Sequence, residues 1–322
     1  MTATKAWHGG ELRWDHLDGE WTVLAPGRAA RPQGAAAPCP FCPGPGEDTP
    51  PETWRLPGER PGSWQVRAVP NRYALSDHHE VIVESPDHDW NPATATTAEV
   101  GNVLLAWQAR HRALRSHAAQ VVLFRNHGAA AGTSLSHPHS QAVGLPVLSS
   151  ATRRELTVMR EHYDRNGRSF AAEILAGELS SGERIVLADG DTAAFVPFSP
   201  AAEFEVRISP TRNRADFAAV PHGELDGIAR ALRTVLAALH TELHEPAYNL
   251  VLHTAPVGLE HVPYLSWWLR ILPRLTIPAG LELATGIPVS TVLPEEAAKR
   301  LRDRVQDPGS QEVPARQRED AG

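Results

Sequence analysis

The sequence predicts an α+β fold made of two tandem units, each an antiparallel sheet with one long helix packed on it. Two observations predict this fold. The order strand, helix, strand occurs twice along the chain, once after Pro70 and again after Pro197. The two copies run almost in register, because His137 lies 67 residues after Pro70 and Ser266 lies 69 residues after Pro197.

The first unit begins with a short strand at residues 80–84, and a helix at 98–116 follows it. The apolar residues of that helix recur at helical spacing: Val100, Val103, Leu104, Trp107 and Leu114. A second strand at 120–124 then leads through a loop to a pair of histidines.

The second unit repeats this order with a strand at 204–208, a helix at 225–240 and a strand at 248–253. One face of its helix is apolar: Leu225, Ile228, Leu232, Leu236 and Leu239. A loop then leads into residues 265–270.

Two histidines and a glutamine alternate in the loop of the first unit. Alternate side chains share a face of an extended backbone, so His137, His139 and Gln141 can converge on one site. An imidazole without a bound metal is a good nucleophile toward phosphorus, whereas a metal-bound imidazole is fixed in place. The motif therefore indicates phosphoryl or nucleotidyl transfer. Two surface histidines in a loop remain the alternative.

The only two cysteines, Cys39 and Cys42, have the spacing of a metal-binding knuckle. With His88 and His137 they fit a tetrahedral zinc site, and thiolate and imidazole ligands favour zinc over iron. A redox dithiol normally begins a helix, which the flanking prolines oppose. A structural disulfide is the other alternative, and the first residues do not resemble the export signal that it would call for. Four protein ligands leave no open position, so the metal is expected to be structural.

A series of short motifs follows in order along the chain: RAARP at 28–32, CPFC at 39–42, PNRY at 70–73, HEVIVESP at 79–86, FRNHG at 124–128, GTS at 132–134, HPHSQ at 137–141, LPR at 272–274, AGLE at 279–282 and PEEAA at 294–298. In this order, between about residues 11 and 302, they resemble the galactose-1-phosphate uridylyltransferase family, the transferase branch of the histidine-triad superfamily. The resemblance implies two histidine-triad-like domains. We expect a catalytic domain with the zinc site at residues 1–150, a second domain without the histidine motif at 151–305, and a disordered tail at 306–322.

The resemblance also implies the roles of individual residues. His139 is the nucleophile that forms a covalent nucleotidyl-imidazole, and His137 joins Cys39, Cys42 and His88 as a zinc ligand. Gln141 stands where the hydrolase branch has a third histidine; an amide cannot donate a catalytic proton, which favours transfer over hydrolysis. The expected substrate contacts are Arg28, Arg31, Asn71, Asn126, Gly128, Ser134 and Glu282.

The second copy lacks this chemistry. Ser266 and Trp268 stand where the first copy has its two histidines, and neither can attack phosphorus. Ser169 and Ala172 stand where a second cysteine pair would be sought. A second metal site is therefore not expected, and Trp267 and Trp268 are expected to pack in the core or at an interface.

The implied reaction is transfer of a nucleotide, with UMP favoured, between a nucleoside diphosphate sugar and a sugar 1-phosphate in galactose metabolism. An ADP-sugar or dinucleoside polyphosphate phosphorylase is the alternative, as is transfer to another sugar phosphate. A nucleotide-binding module without turnover is a third reading.

Composition agrees with a cytoplasmic enzyme. The formal charge of −7 disfavours nucleic acid as a partner, and no run of about 18 apolar residues suggests a membrane span. A homodimer is expected from the resemblance.

Overall fold

The computed structural model describes residues 3–30 and 38–306 and confirms the α+β prediction. Arg31 and the expected tail beyond residue 306 lie outside the described residues.

A small antiparallel sheet precedes the main one: β1 (Thr4–Trp7), β2 (Gly10–Asp15) and β3 (Glu20–Leu24). The strands of the main sheet are β4 (Trp54–Pro57), β5 (Trp64–Pro70), β6 (His78–Val83), β7 (Gln120–His127), β8 (His139–Leu145), β9 (Ile185–Asp189), β10 (Thr192–Phe195), β11 (Val206–Pro210), β12 (Tyr248–His253) and β13 (Trp268–Pro273). The α-helices are α1 (Thr97–Leu114), α2 (Ser150–Asn166), α3 (Phe170–Ser181), α4 (His222–Glu242), α5 (Gly280–Thr285) and α6 (Pro294–Gln306).

The main sheet shows the duplication in its strand order. The order is β4-β5-β6-β8-β7-β12-β13-β11-β10-β9, so the second five strands repeat the first five in reverse across the sheet. Helix α1 connects β6 to β7, and α4 makes the equivalent connection from β11 to β12. The halves join where β7 pairs with β12, with Tyr248 opposite His127. Each half is thus an antiparallel unit with one long helix, as predicted, and the two sheets are continuous.

The predicted elements of the two copies are present with shifted ends. The strand at 248–253 has the predicted bounds, whereas the predicted strand at 204–208 begins two residues later, because Phe204 has a φ of 57° that no strand accommodates. Helix α4 begins three residues before Leu225, since its polar first turn carries no apolar signal. Several elements were not predicted from the sequence: the small sheet, β4, β5, β9, β10, β13, α2, α3, α5 and α6.

Helices α1 and α4 pack against each other over one shared hydrophobic core. Helix α1 begins with a capping box, in which Thr96 Oγ1 accepts from the Glu99 N–H and the Glu99 carboxylate accepts from the Thr96 N–H. Gly101 lies at the contact between the two helices, where a Cβ would be in ordinary van der Waals contact with Ala229 Cβ at 3.8 Å. None of the helices in the described residues is long and apolar enough to span a membrane.

Strand β8 carries the histidine motif at the centre of the first half, between β6 and β7. Trp107 of α1 is fully buried, and its indole N–H donates to Ser140 Oγ at 2.8 Å. Ser140 therefore faces the helix. Because side chains alternate along a strand, His139 and Gln141 face the opposite side of the sheet.

Candidate functional site

Four residues from three separate parts of the chain form a cluster of potential metal ligands: Cys39, Cys42, His88 and His137. One ligand atom from each lies within 4.8 Å of all the others. Cys42 Sγ is 3.3 Å from His88 Nδ1 and 3.5 Å from His137 Nδ1, and Cys39 Sγ is 3.6 Å from His137 Nδ1. With Zn–S near 2.3 Å and Zn–N near 2.0–2.1 Å, sulfur and nitrogen ligands of a tetrahedral zinc lie about 3.6 Å apart. The cluster therefore has the dimensions of a site that could hold a metal ion.

The hydrogen bonds of the two histidines direct one nitrogen of each ring into the cluster. His137 Nε2 lies 2.8 Å from the Ser85 carbonyl oxygen, which can only accept, so the proton is on Nε2 and the Nδ1 lone pair faces the cysteines. His88 Nε2 lies 2.9 Å from Ser136 Oγ, which fits the same arrangement. Both rings are thus oriented as metal ligands.

The protonation of the cluster also fits a cation. Burial, followed by the neighbouring Cys39 thiol, raises the pKa of Cys42 to about 11. Burial lowers the pKa of His137, which keeps its imidazole uncharged. Two thiols and an uncharged imidazole become good ligands when a cation displaces the thiol protons.

His139 is the first residue of β8 and is 7% exposed. Its Nδ1 lies 2.8 Å from the carbonyl oxygen of His137. Because a carbonyl oxygen only accepts, Nδ1 carries the proton and Nε2 carries the lone pair. The backbone of one candidate metal ligand therefore fixes the tautomer of the histidine two residues further on.

Two cavities of about 390 Å³ each meet at His139, Ser134 and Leu135. The first cavity is lined by apolar side chains, among them Phe41, Val69 and Val81, and by the polar side chains of Asn71 and Gln141. The second cavity is lined by the turn after β7 and by the histidine motif. An imidazole between two cavities can exchange a group between ligands bound on either side.

Arg125 and His127, two residues of the FRNHG motif that were given no role from the sequence, also line the second cavity. Arg125 and Glu84 form a buried ion pair, and Arg125 Nη2 lies 3.4 Å from His127 Nδ1. Burial, followed by the Arg125 charge, lowers the pKa of His127 to about 4, and its ring stacks on Tyr248 at 4.8 Å. The motif at 124–128 includes both residues, but a sequence motif does not identify Glu84 and Tyr248 as their partners.

The expected substrate contacts fall into three groups. Asn71 and Ser134 line the first cavity; Asn126, Gly128 and Ser134 line the second. Gly128 has a φ of 80°, and a Cβ there would lie 2.7 Å from Ala247 Cβ, so this turn requires glycine.

The remaining two described contacts lie outside the cavity linings. Arg28 donates to the backbone carbonyl of Tyr73, whose residue lines the first cavity. Glu282 lies on α5, lines neither cavity and accepts from the Ala279 N–H at 3.0 Å.

In the second half, the position equivalent to His139 is occupied by an aromatic residue that packs against its neighbours. Trp268 begins β13 as His139 begins β8, and its ring stacks on His253 at 4.8 Å. Trp267 is fully buried against Phe217, as expected for a core residue. Ser169 caps α3 by accepting from the Ala172 N–H, so a helix occupies the place where a second cysteine pair was sought.

The fold is a duplicated α+β sheet in which His139 begins β8 and His137, two residues earlier, belongs to a cluster of two cysteines and two histidines. Relatives with this fold are nucleotidyltransferases. The model of the galactose-1-phosphate uridyl transferase N-terminal domain matches residues 77–148. A galactose-1-phosphate uridylyltransferase from Streptomyces lividans is 31% identical over 91% of this chain and 86% of its own length. This chain therefore belongs to the galactose-1-phosphate uridylyltransferase family.

Two solved structures share the whole fold. One is described as the structure of a uridylyltransferase, with a TM-score of 0.79, 30% identity, and coverage of 92% of this chain and 98% of that one. The other is an ADP-glucose phosphorylase from Arabidopsis thaliana with bound ADP-glucose, with a TM-score of 0.76, 27% identity, and coverage of 91% and 99%.

Proposed function

We propose that this protein is a nucleotidylyltransferase that moves UMP between a nucleoside diphosphate sugar and a hexose 1-phosphate. The observation that carries the proposal is the position of His139. Its Nδ1 proton is held by a carbonyl, its Nε2 carries the lone pair, and it stands where two cavities meet. A nucleophile between two cavities suits a reaction with two successive ligands.

In the first step, the His139 Nε2 lone pair attacks the α-phosphorus of the nucleotide sugar. A nitrogen–phosphorus bond forms, the bond from phosphorus to the bridging oxygen breaks, and the electron pair leaves with the sugar phosphate. The ring becomes positively charged, and the His137 carbonyl stabilises that charge through the Nδ1–H hydrogen bond.

In the second step, a phosphate oxygen of the acceptor attacks the same phosphorus. The nitrogen–phosphorus bond breaks and its electron pair returns to Nε2. Both leaving groups depart as stable species, so neither step needs a proton donor. Gln141 hydrogen-bonds the phosphoryl oxygens at fixed charge and gives water no base, which supports transfer over hydrolysis.

The metal we propose is zinc, held by Cys39, Cys42, His88 and His137. When bound, it supplies a structural cross-link. The ligands hold the loop before β8 against the segment at 39–42, and His137 transmits that position to His139 through its carbonyl. All of these residues precede residue 150, which supports a catalytic domain at 1–150 and a second domain at 151–305.

A second candidate reaction is phosphorolysis of an ADP-sugar, with inorganic phosphate as the acceptor. The similarity to a phosphorylase that was solved with ADP-glucose favours it. The two reactions share the first step and differ in the base and the acceptor. A binding module without turnover is less well supported, because the His139 tautomer is the one that attack requires.

We also propose a homodimer. The segment from Leu275 to Leu293 exposes apolar side chains, among them Ile277 at 90% and Leu283 at 79%. Such a strip is unusual on a free surface. Glu282 lies in the same segment, so a sugar-contacting role for it would involve the surface that the partner covers. A cytoplasmic location stays a prediction from composition.

Product analysis distinguishes the two reactions. The purified protein is supplied with UDP-glucose and galactose 1-phosphate, and separately with ADP-glucose and inorganic phosphate. We expect the first pair of substrates to give UDP-galactose at a rate well above the rate at which the second pair gives ADP. Turnover of the second pair alone would replace the uridylyltransferase assignment with the phosphorylase.

A further inference from the structure

Gln141 is in contact with a second buried histidine, His79. His79 is 3% exposed and lies on β6, the strand that pairs with β8. Val81 is opposite Gln141 in the register and His79 is opposite Val143, so His79 and Gln141 are diagonal neighbours on one face of the sheet.

The hydrogen bonds of His79 fix its tautomer. The backbone N–H of Leu75 donates to His79 Nδ1 at 2.9 Å. A backbone N–H can only donate, so Nδ1 carries a lone pair and the ring proton is on Nε2. His79 Nε2 lies 2.9 Å from Gln141 Oε1 and therefore donates to it.

Asn71 does not compete for this proton. Its Nδ2 lies 3.1 Å from His79 Nε2, whereas its Oδ1 accepts from the Tyr73 N–H at 2.8 Å. The Asn71 oxygen is thus turned toward the backbone. Gln141 Oε1 remains as the acceptor for the Nε2 proton.

We propose that His79 is a positioning residue that acts through Gln141. By engaging Oε1, it fixes the side-chain amide so that the NH₂ group, with its two donors, faces the phosphoryl oxygens beside His139. Without this contact the amide can turn over, since its two ends are nearly equal in size, and its oxygen would then repel the phosphate. This inference rests on the proposed function, because it assigns a role within the same transfer site.

Three variants test the role of His79. His79→Asn keeps an acceptor for the Leu75 N–H but has no donor at the Nε2 position. His79→Gln carries an amide nitrogen close to the Nε2 position and serves as the conservative variant. His78→Phe is the control, because His78 faces the other side of β6 and stacks on His117 at 4.4 Å.

The expected result is a split between kcat and KM. His79→Asn lowers kcat about tenfold, the loss typical of removing an orienting partner, and changes the KM for the nucleotide sugar less than twofold. His79→Gln recovers most of that loss, and His78→Phe has wild-type kinetics. All variants are compared by thermal unfolding, and His79→Phe replaces any His79→Asn protein that does not fold.

A double-mutant cycle with Gln141→Ala gives the decisive readout. If His79 acts through Gln141, His79→Asn has no further effect on kcat in the Gln141→Ala background. If the losses in kcat of the two single variants multiply in the double variant, the inference is wrong. It is also wrong if His79→Asn alone has full activity. Failure of the wild type to become nucleotidylated from UDP-glucose or ADP-glucose would instead reject the proposed function, so the two failures are distinguishable.

Discussion

Loss of the metal cluster should remove a long cross-link from the folded chain. Replacing His88 with alanine, or Cys42 with serine, leaves three of the four ligands. The Cys42–His137 connection closes a segment of 95 residues. By the loop-closure relation used for disulfides, such a link stabilises the fold by about 4–5 kcal/mol at most.

This magnitude converts to a shift in melting temperature. At about 2.1 cal/mol/K per residue, the unfolding entropy of roughly 300 residues is about 0.6 kcal/mol/K. The variants should therefore melt up to about 8 °C below the wild type. His261→Ala, an exposed histidine outside the cluster, provides the matched control.

The assay combines elemental analysis with calorimetry on the same preparations. The wild type should contain close to one zinc per chain, and His88→Ala and Cys42→Ser clearly less, with a lowered Tm. His261→Ala should match the wild type in both. Wild-type protein that contains no metal and melts at the same temperature after chelation would refute the reasoning.

Two further predictions concern hydrolysis and pH. Gln141→His should add a proton-active group beside the α-phosphate and produce slow release of nucleoside monophosphate without acceptor. If the variant hydrolyses the nucleotide sugar no faster than the wild type does, Gln141 is not the residue that favours transfer over hydrolysis. The folded-state pKa of His127, about 4, lies below its ordinary value of 6.5. Its contribution to stability is therefore full above pH 6.5 and is lost as pH falls toward 4. Between pH 7 and pH 5 the wild type should lose about 2 kcal/mol more than His127→Phe in urea unfolding, and equal losses would contradict the pKa shift.

The repeated strand, helix and strand were predictable because their apolar periodicity is a local property of the sequence. Helix α1 was found within two residues at each end, since its buried face has the helical period. Strand β10 was missed because it is short and fully buried and therefore shows no alternation, and β9 was missed because it is short and only Val186 in it is buried. The continuity of the sheet could not be predicted, because the pairing of β7 with β12 joins residues more than 100 positions apart.

Part of the candidate site was likewise predictable from the sequence, and part was not. Spacing alone identified Cys39 and Cys42 as one half of a cluster, and two histidines distant in sequence, His88 and His137, completed a ligand set for zinc. The role of His79 depends on the Leu75 N–H and on the diagonal placement across two strands. Neither leaves a signal in the sequence.

The central claim, covalent transfer through His139, is tested most directly by intact-mass measurement. Wild type and His139→Ala are incubated with UDP-glucose or ADP-glucose without acceptor. The wild type should gain the mass of one nucleoside monophosphate per chain and release about one equivalent of sugar phosphate. His139→Ala should fold, retain its metal and gain no mass. Labelling of His139→Ala, or steady hydrolysis by the wild type without an adduct, would contradict the account.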